Sequence, residues 1–329
     1  LSTLLRGLKQ YSANITAIVT VADDGGSSGR IRQDLGMIPP GDLRNCLVAL
    51  ADTEPLMEKL FQHRFGGTGG LAGHNFGNLF IAAMTEVLGD VEQALKESSK
   101  VLAVRGRVLP ASTQTVRLWA KMTDGSIVEG ESQIPLVNKR IERVYLHPEE
   151  TMPVESSLEA IRDADAIILG PGSLYTSILP NLLVRGVADT LRKSQAVKIY
   201  ICNVMTQPGE TDGYSASEHV QAILDHVGPG VIDYVVINSQ NVAEELQQKY
   251  ADQGAYPVKN DAEKVEAMGI KVTQADVINE TNLVRHDPLK LSRTIVSMIY
   301  KLKTNSERMR LLDYYLIAES IKDLKKTER

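Results

Sequence analysis

Three apolar runs of strand length, residues 164–169, 197–204 and 231–238, alternate with helical patterns at 182–193, 215–226 and 242–250. That alternation constrains the fold more than anything else in the chain. A strand that leads into a helix and then into another strand returns in the same direction. The second half is therefore expected to form a parallel sheet with right-handed crossovers. The first third continues the theme, with a helix at 1–11, a strand at 15–22 and a polar loop at 23–29. Helices follow at 42–51, with Asp42 as N-cap, and at 56–65, 75–88 and 91–101. Residues 66–73, five of which are glycine, read as a flexible loop. The middle changes period. Residues 115–121 alternate, Asp124-Gly125 is a turn signal, and 126–131 run back. With a short strand at 143–146, residues 113–147 read as a small antiparallel insertion. A helix is expected at 158–162, and one or two amphipathic helices at 288–325 with a solvated Lys/Arg face. The fold class is α/β: a mostly parallel sheet, the insertion, and C-terminal helices. Residues 1–303 are expected to form one unit, and 304–329 a helical tail.

A chain of 329 residues is long enough to bury one large core. The net charge of -5 gives no basis for general nucleic-acid binding. Cys46 and Cys202 cannot make a disulfide framework or a zinc ribbon, and Cys202 reads as a core thiol. No apolar run approaches the roughly 18 residues of a membrane span, and no signal peptide is visible. The expected location is the cytoplasm. The first residue, Leu1, falls within a helical pattern, so a strand and a turn are expected ahead of it.

The chemistry sits where strands give way to Gly- and Ser-rich loops. Residues 170–177 follow a strand: Gly170 and Gly172 let backbone approach an anion, while Ser173, Thr176 and Ser177 add hydroxyls. A tight strand-to-helix turn would use the same residues. In 23–29, Asp23 and Asp24 stand together at a strand end. Their mutual repulsion calls for a cation, ribose hydroxyls, or Arg30 and Arg32. Gly25, Gly26, Ser27 and Ser28 suit a phosphate nest, and a solvated turn is the alternative. Ligands of open parallel sheets collect outside the strand carboxyl ends, where both loops lie. Arg44 and Asn45 are placed in a first helical turn. His74, Asn75 and Asn78 cluster at another helix start. Asn203 and Thr206 leave a strand in a polar run that extends to Thr211. No GxSxG, HExxH or Walker A motif occurs. His147, His219, His226 and His286 are scattered and read as structural or exposed.

Residues 20–45, 74–79, 170–183 and 202–214, taken in order, resemble the YvcK branch of the CofD-like family, proteins also called gluconeogenesis factors. The resemblance runs to about residue 301. It implies a Rossmann-like, doubly wound fold, and a strand with a Gly-Gly-Gly-Thr-Gly loop ahead of Leu1. It also implies a UDP-sugar ligand of the UDP-N-acetylglucosamine type and a role in cell shape and gluconeogenic growth. A late Tyr and Arg of the family pattern match Tyr250 and Arg285, implying contacts to the UDP-sugar. A regulatory protein partner and a homo-oligomer are further expectations. The CofD branch is a magnesium-dependent transferase of a phospholactyl-type group. Were that chemistry present, Asp23 and Asp24 would hold Mg²⁺. The stretch 22–30 and the run Gly41-Asp42-Leu43-Arg44 follow the YvcK form and depart from the transferase form. An NAD-type dinucleotide binder is the remaining alternative.

Overall fold

The computed structural model describes residues 1–52, 55–280 and 283–303. The chain opens with α1 (Ser2–Leu8), β1 (Thr16–Val19), α2 (Gly26–Leu35), α3 (Gly41–Leu50), α4 (Pro55–Gln62), α5 (Phe76–Leu88), α6 (Val91–Val101) and β2 (Arg107–Pro110). Then come β3 (Arg117–Met122), β4 (Ile127–Glu129) and β5 (Ile141–His147). The second half runs α7 (Glu155–Asp163), β6 (Ala166–Leu169), α8 (Leu179–Leu182), α9 (Val187–Lys193), β7 (Val197–Ile201), α10 (Ala216–Val227), β8 (Tyr234–Asn238), α11 (Glu244–Ala251), α12 (Ala262–Ala267) and β9 (Lys271–Ala275). It closes with β10 (Ile278–Glu280), β11 (Val284–His286) and α13 (Pro288–Lys303).

The fold is α/β. β6, β7, β8 and β9 form one parallel sheet in chain order. Ile199, Tyr200 and Ile201 of β7 are fully buried, because helices cover both faces of a central parallel strand. β1 and β2 form a second parallel ladder, from Thr16 opposite Arg107 to Val19 opposite Pro110. A cavity of about 970 Å³ separates the two ladders, walled by residues 15–20 of the β1 edge and 166–172 of the β6 edge. The antiparallel sheet is ordered β4-β3-β5. In β3, Leu118, Ala120 and Met122 are fully buried while Arg117 and Lys121 are exposed, a period of two. β5 docks on α10 through His226, whose Nε2 accepts the Val144 N–H at 2.9 Å. Burial lowers the pKa of His226, which keeps that nitrogen free of a proton.

Several local expectations are corrected. The strand expected at 15–22 ends at Val19, because β2 offers it only the partners Arg107 to Pro110. The polar loop expected at 23–29 is largely helix: Gly25 is the extended N-cap and α2 begins at Gly26. Asp42 is not an N-cap. Pro40 holds that position without a side-chain hydrogen bond, and Asp42 lies in the first turn of α3. The helix expected at 182–193 is two, α8 and α9, with Gly186 left-handed at the start of the second (φ 78°). The expected tail beyond residue 303 lies outside the described residues. Among the described residues no helix is long and apolar enough to cross a membrane.

Candidate functional site

Three helix starts converge beyond the end of β1. Asp23 Oδ1 accepts the Gly25 N–H at 2.9 Å, an Asx turn that bends the chain into α2. Ser27 and Ser28, in the first turn of α2, face the start of α5. The Asn75 N–H donates to Ser27 Oγ at 3.2 Å, and His74 Nδ1 lies 3.4 Å from the same oxygen. Asn78 Nδ2 donates to Ser28 Oγ at 3.5 Å. Asn75 caps α5 by accepting the Asn78 N–H at 3.2 Å. Gly41, first residue of α3, packs on Ser28 and Asp23, where a Cβ would lie 3.1 Å from Asp23 Oδ2. The positive ends of α2, α3 and α5 thus point into one region that also holds Asp23, Asp24 and Asp42. Burial, then the charge of Asp23, raises the pKa of Asp42. Arg44 Nη2 donates to the exposed Asn45 Oδ1 at 2.6 Å.

The loop after β6 is tied differently. Gly170 is left-handed (φ 88°), and residues 174–178 form a single π-helical turn. Gln207 Nε2 donates to Ser173 Oγ at 2.8 Å, and Asn203 Nδ2 donates to Gln207 Oε1 at 3.3 Å. Thr176 Oγ1 donates to Glu210 Oε1 at 3.2 Å. Thr206 is buried, and its Oγ1 accepts the Tyr256 N–H at 2.9 Å. The hydroxyls of Thr176 and Thr206 are therefore engaged in holding loops together. Tyr250 Oη accepts the Val284 N–H at 3.1 Å, which places Tyr250 one residue from the exposed Arg285. Tyr250 also packs against the cluster formed by Val204, Val242, Ile278 and Val284.

Two contacts bring the loops to one side of the molecule. Asp42 and Asn45 share the cavity wall with Gly170, Pro171 and Gly172, and the Leu1 nitrogen lies 2.6 Å from Pro171 O. The segment after β4 spans the other side of the junction. The Ser132 N–H donates to Asp24 Oδ1 at 2.9 Å, and Pro135 abuts Gly209. Glu131 is thereby set among carboxylates of both loops. Burial, then the charges of Asp23, Asp24, Glu210 and Asp42, raise its pKa to about 7. Burial also raises Glu210 to about 7, against the hydrogen bonds from Thr176 and the backbone. Glu210 Oε2 is buried without a hydrogen-bond partner.

Sequence reasoning missed Glu131, Glu210, Gln207 and Arg64. Gln207 and Glu210 stood inside the polar run already singled out. Glu131 had no local signal, because the carboxylates around it come from distant segments, and Arg64 had none because a single arginine beside a glycine loop carries no pattern. No group of three or more His, Cys, Asp or Glu among the described residues is arranged to hold a metal. Asp23 Oδ1 accepts the Gly25 N–H and Asp24 Oδ1 the Ser132 N–H, and each carboxylate keeps a second oxygen, the kind of donor that magnesium takes together with ligand phosphates.

The sequence profile of the family described as 2-phospho-L-lactate transferase CofD matches residues 1–278. The chain belongs to the CofD family. It is 53% identical over 297 residues to a gluconeogenesis factor of Halalkalibacterium halodurans, covering 90% of this chain and 92% of that protein. A gluconeogenesis factor of Bacillus subtilis is 52% identical over 300 residues, covering 91% and 95%. A crystal structure of a UPF0052-family protein from Bacillus halodurans superposes with a TM-score of 0.87 at 53% identity, covering 90% of this chain and 94% of that one. Within the CofD family the similarity therefore runs to gluconeogenesis factors of the UPF0052 type.

Proposed function

We propose that this chain binds a UDP-sugar of the UDP-N-acetylglucosamine type and regulates gluconeogenic carbon metabolism and cell shape in the cytoplasm through a protein partner. One observation carries the reading. The polar segments that follow β1 and β6 meet on one side, joined by the start of α3 and by Glu131. Such a meeting place, outside the carboxyl ends of parallel strands, suits a nucleotide diphosphate. The names of the relatives support the metabolic side. Arg285, exposed beside the Tyr250 anchor, would pair with the diphosphate, and Tyr250 would stack on the base. The family's transferase name favours a second reading, phospholactyl-type transfer from a nucleotide diphospho donor. In that reading Asp23 and Asp24 would hold the magnesium, which would neutralise charge on the diphosphate.

Calorimetry with UDP-N-acetylglucosamine, NAD and a guanosine dinucleotide ranks these readings. UDP-N-acetylglucosamine is expected to bind most tightly, and Arg285→Ala to weaken it about tenfold, the loss of one charge-assisted contact. Equal affinity in Arg285→Ala and wild type would remove Arg285 from the site. A guanosine donor consumed in a product assay would decide for the transferase.

A further inference from the structure

The connection between α4 and α5 is pinned at its base and free at its tip. The Phe65 N–H donates to His74 O and the Gly73 N–H to Phe65 O, at 2.9 and 2.8 Å. Arg64 Nη1 donates to Gly73 O at 2.6 Å, and Arg30 Nη1 to Ala72 O at 3.0 Å. Between these ties, residues 66–70 (Gly-Gly-Thr-Gly-Gly) are exposed. A Cβ on Gly66, Gly69 or Gly70 would meet nothing within 4 Å, and none of the three has a left-handed φ. Neither packing nor backbone conformation asks for glycine there. Glycine nonetheless carries an entropic cost. Its remaining advantage is a bare backbone whose N–H groups can close on a ligand.

The base of this loop holds positive charge without an ion-pair partner. The stem of Arg44 crosses Gly77 in the first turn of α5, with Cδ 2.8 Å from where a Cβ would stand. Arg64 bridges to Asn75, the cap of the same helix. Burial first, and then the charge of Arg64, lowers the pKa of Arg44; Asp42 and Asp23 act later and in the opposite sense. Arg44 Nε is buried without a hydrogen-bond partner. Arg105, Arg140, Arg162, Arg185 and Arg192 each pair with a carboxylate, whereas Arg44 and Arg64 make no ion pair among the described residues. Two guanidiniums beside the positive end of a helix repel one another, and an anion between them removes the repulsion.

We propose that Arg44, Arg64 and the backbone of residues 66–70 form a subsite for a phosphoryl dianion, with the glycine tip closing over it. The dianion belongs either to the terminal phosphate of a free nucleoside diphosphate or to a separate phosphorylated small molecule. The fork geometry of arginine suits both. The subsite stands on its own geometry, apart from the nucleotide reading.

Calorimetric titration of the whole chain with inorganic phosphate tests it. Saturable binding is expected in wild type. Arg64→Ala should weaken it about tenfold, as for one charge-assisted hydrogen bond. Gly69→Ala should weaken it several-fold with an unchanged Tm, because its methyl projects into open space. Repeating the titration under saturating UDP, whose terminal phosphate is a dianion, separates the two sources. Displaced phosphate assigns the dianion to the nucleotide, and retained phosphate to a second molecule. Absence of saturable phosphate binding in wild type, or wild-type affinity in both variants, overturns the subsite. UDP-sugar binding by wild type is a separate titration, so failure of the nucleotide reading is scored independently.

Discussion

The junction of α2 and α5 and the loop between α4 and α5 lie side by side, yet they use glycine for opposite physical reasons. At Gly29 a methyl would run into the Asp24 carbonyl, and at Gly77 it would stand 2.6 Å from Phe61 O. At Gly66, Gly69 and Gly70 it would touch nothing. In the junction, glycine is a condition of assembly. Gly29 lets the start of α2 lie against Asp24, and Gly77 lets the start of α5 lie against Phe61 of α4, beside the hydrogen bonds that join Ser27 and Ser28 to Asn75 and Asn78. In the loop, side chains are forgone where there is room for them. Glycine content alone therefore does not reveal its purpose; the neighbours do.

The largest effect expected from this contrast is at Gly29. Alanine is normally the better helix residue, but here a backbone carbonyl must move. Gly29→Ala should cost about 3 kcal/mol in urea unfolding, as overpacking does. A gain in stability would show that the junction is looser than its geometry.

The packed side also contains Glu210, which resists charging. Its carboxyl titrates near 7 when folded, against about 4.3 in an unfolded chain. The unfolded state therefore releases this proton first as pH rises. Wild-type stability should fall between about pH 4 and pH 7 by on the order of 4 kcal/mol from this group. Glu210→Gln should remove that component of the slope, measured by denaturation across the range. An identical slope in the variant would mean that Glu210 is better solvated than its orphaned oxygen implies.

A smaller effect is expected at the border of the two regions. Asn75→Ala removes the cap of α5 and the acceptor of the Asn78 N–H, and should cost about 1 kcal/mol. A loss as large as that of Gly29→Ala would place the cap inside the rigid junction. Smallest of all, Gly69→Ala should leave stability within about 0.5 kcal/mol of wild type. A marked loss there would erase the distinction between the two kinds of glycine.

The parallel sheet of the second half was legible because β6, β7 and β8 are apolar runs bounded by helical patterns. β2 was not. Val108 and Leu109 between Arg107 and Pro110 are too short to show a period, and the strand exists because β1 supplies its partner. β9 was hidden in the same way, its five residues showing no clear alternation beside β8. Within the candidate site, the residues after β1 and β6 were legible because glycines and hydroxyls directly follow strands. Glu131 was not, since the segment carrying it meets Asp24 across 108 positions of chain through Ser132.

The sequence by itself determined the fold class, the family and the two strand-end segments, because each is written in contiguous residues whose period or motif is local. The tertiary structure alone decided that three helix starts share one junction, that Glu131 and Glu210 bear on it, and that the charge of Arg64 acts on Arg44. Charge, burial and close contact are properties of pairs, and these pairs are made only when distant segments pack.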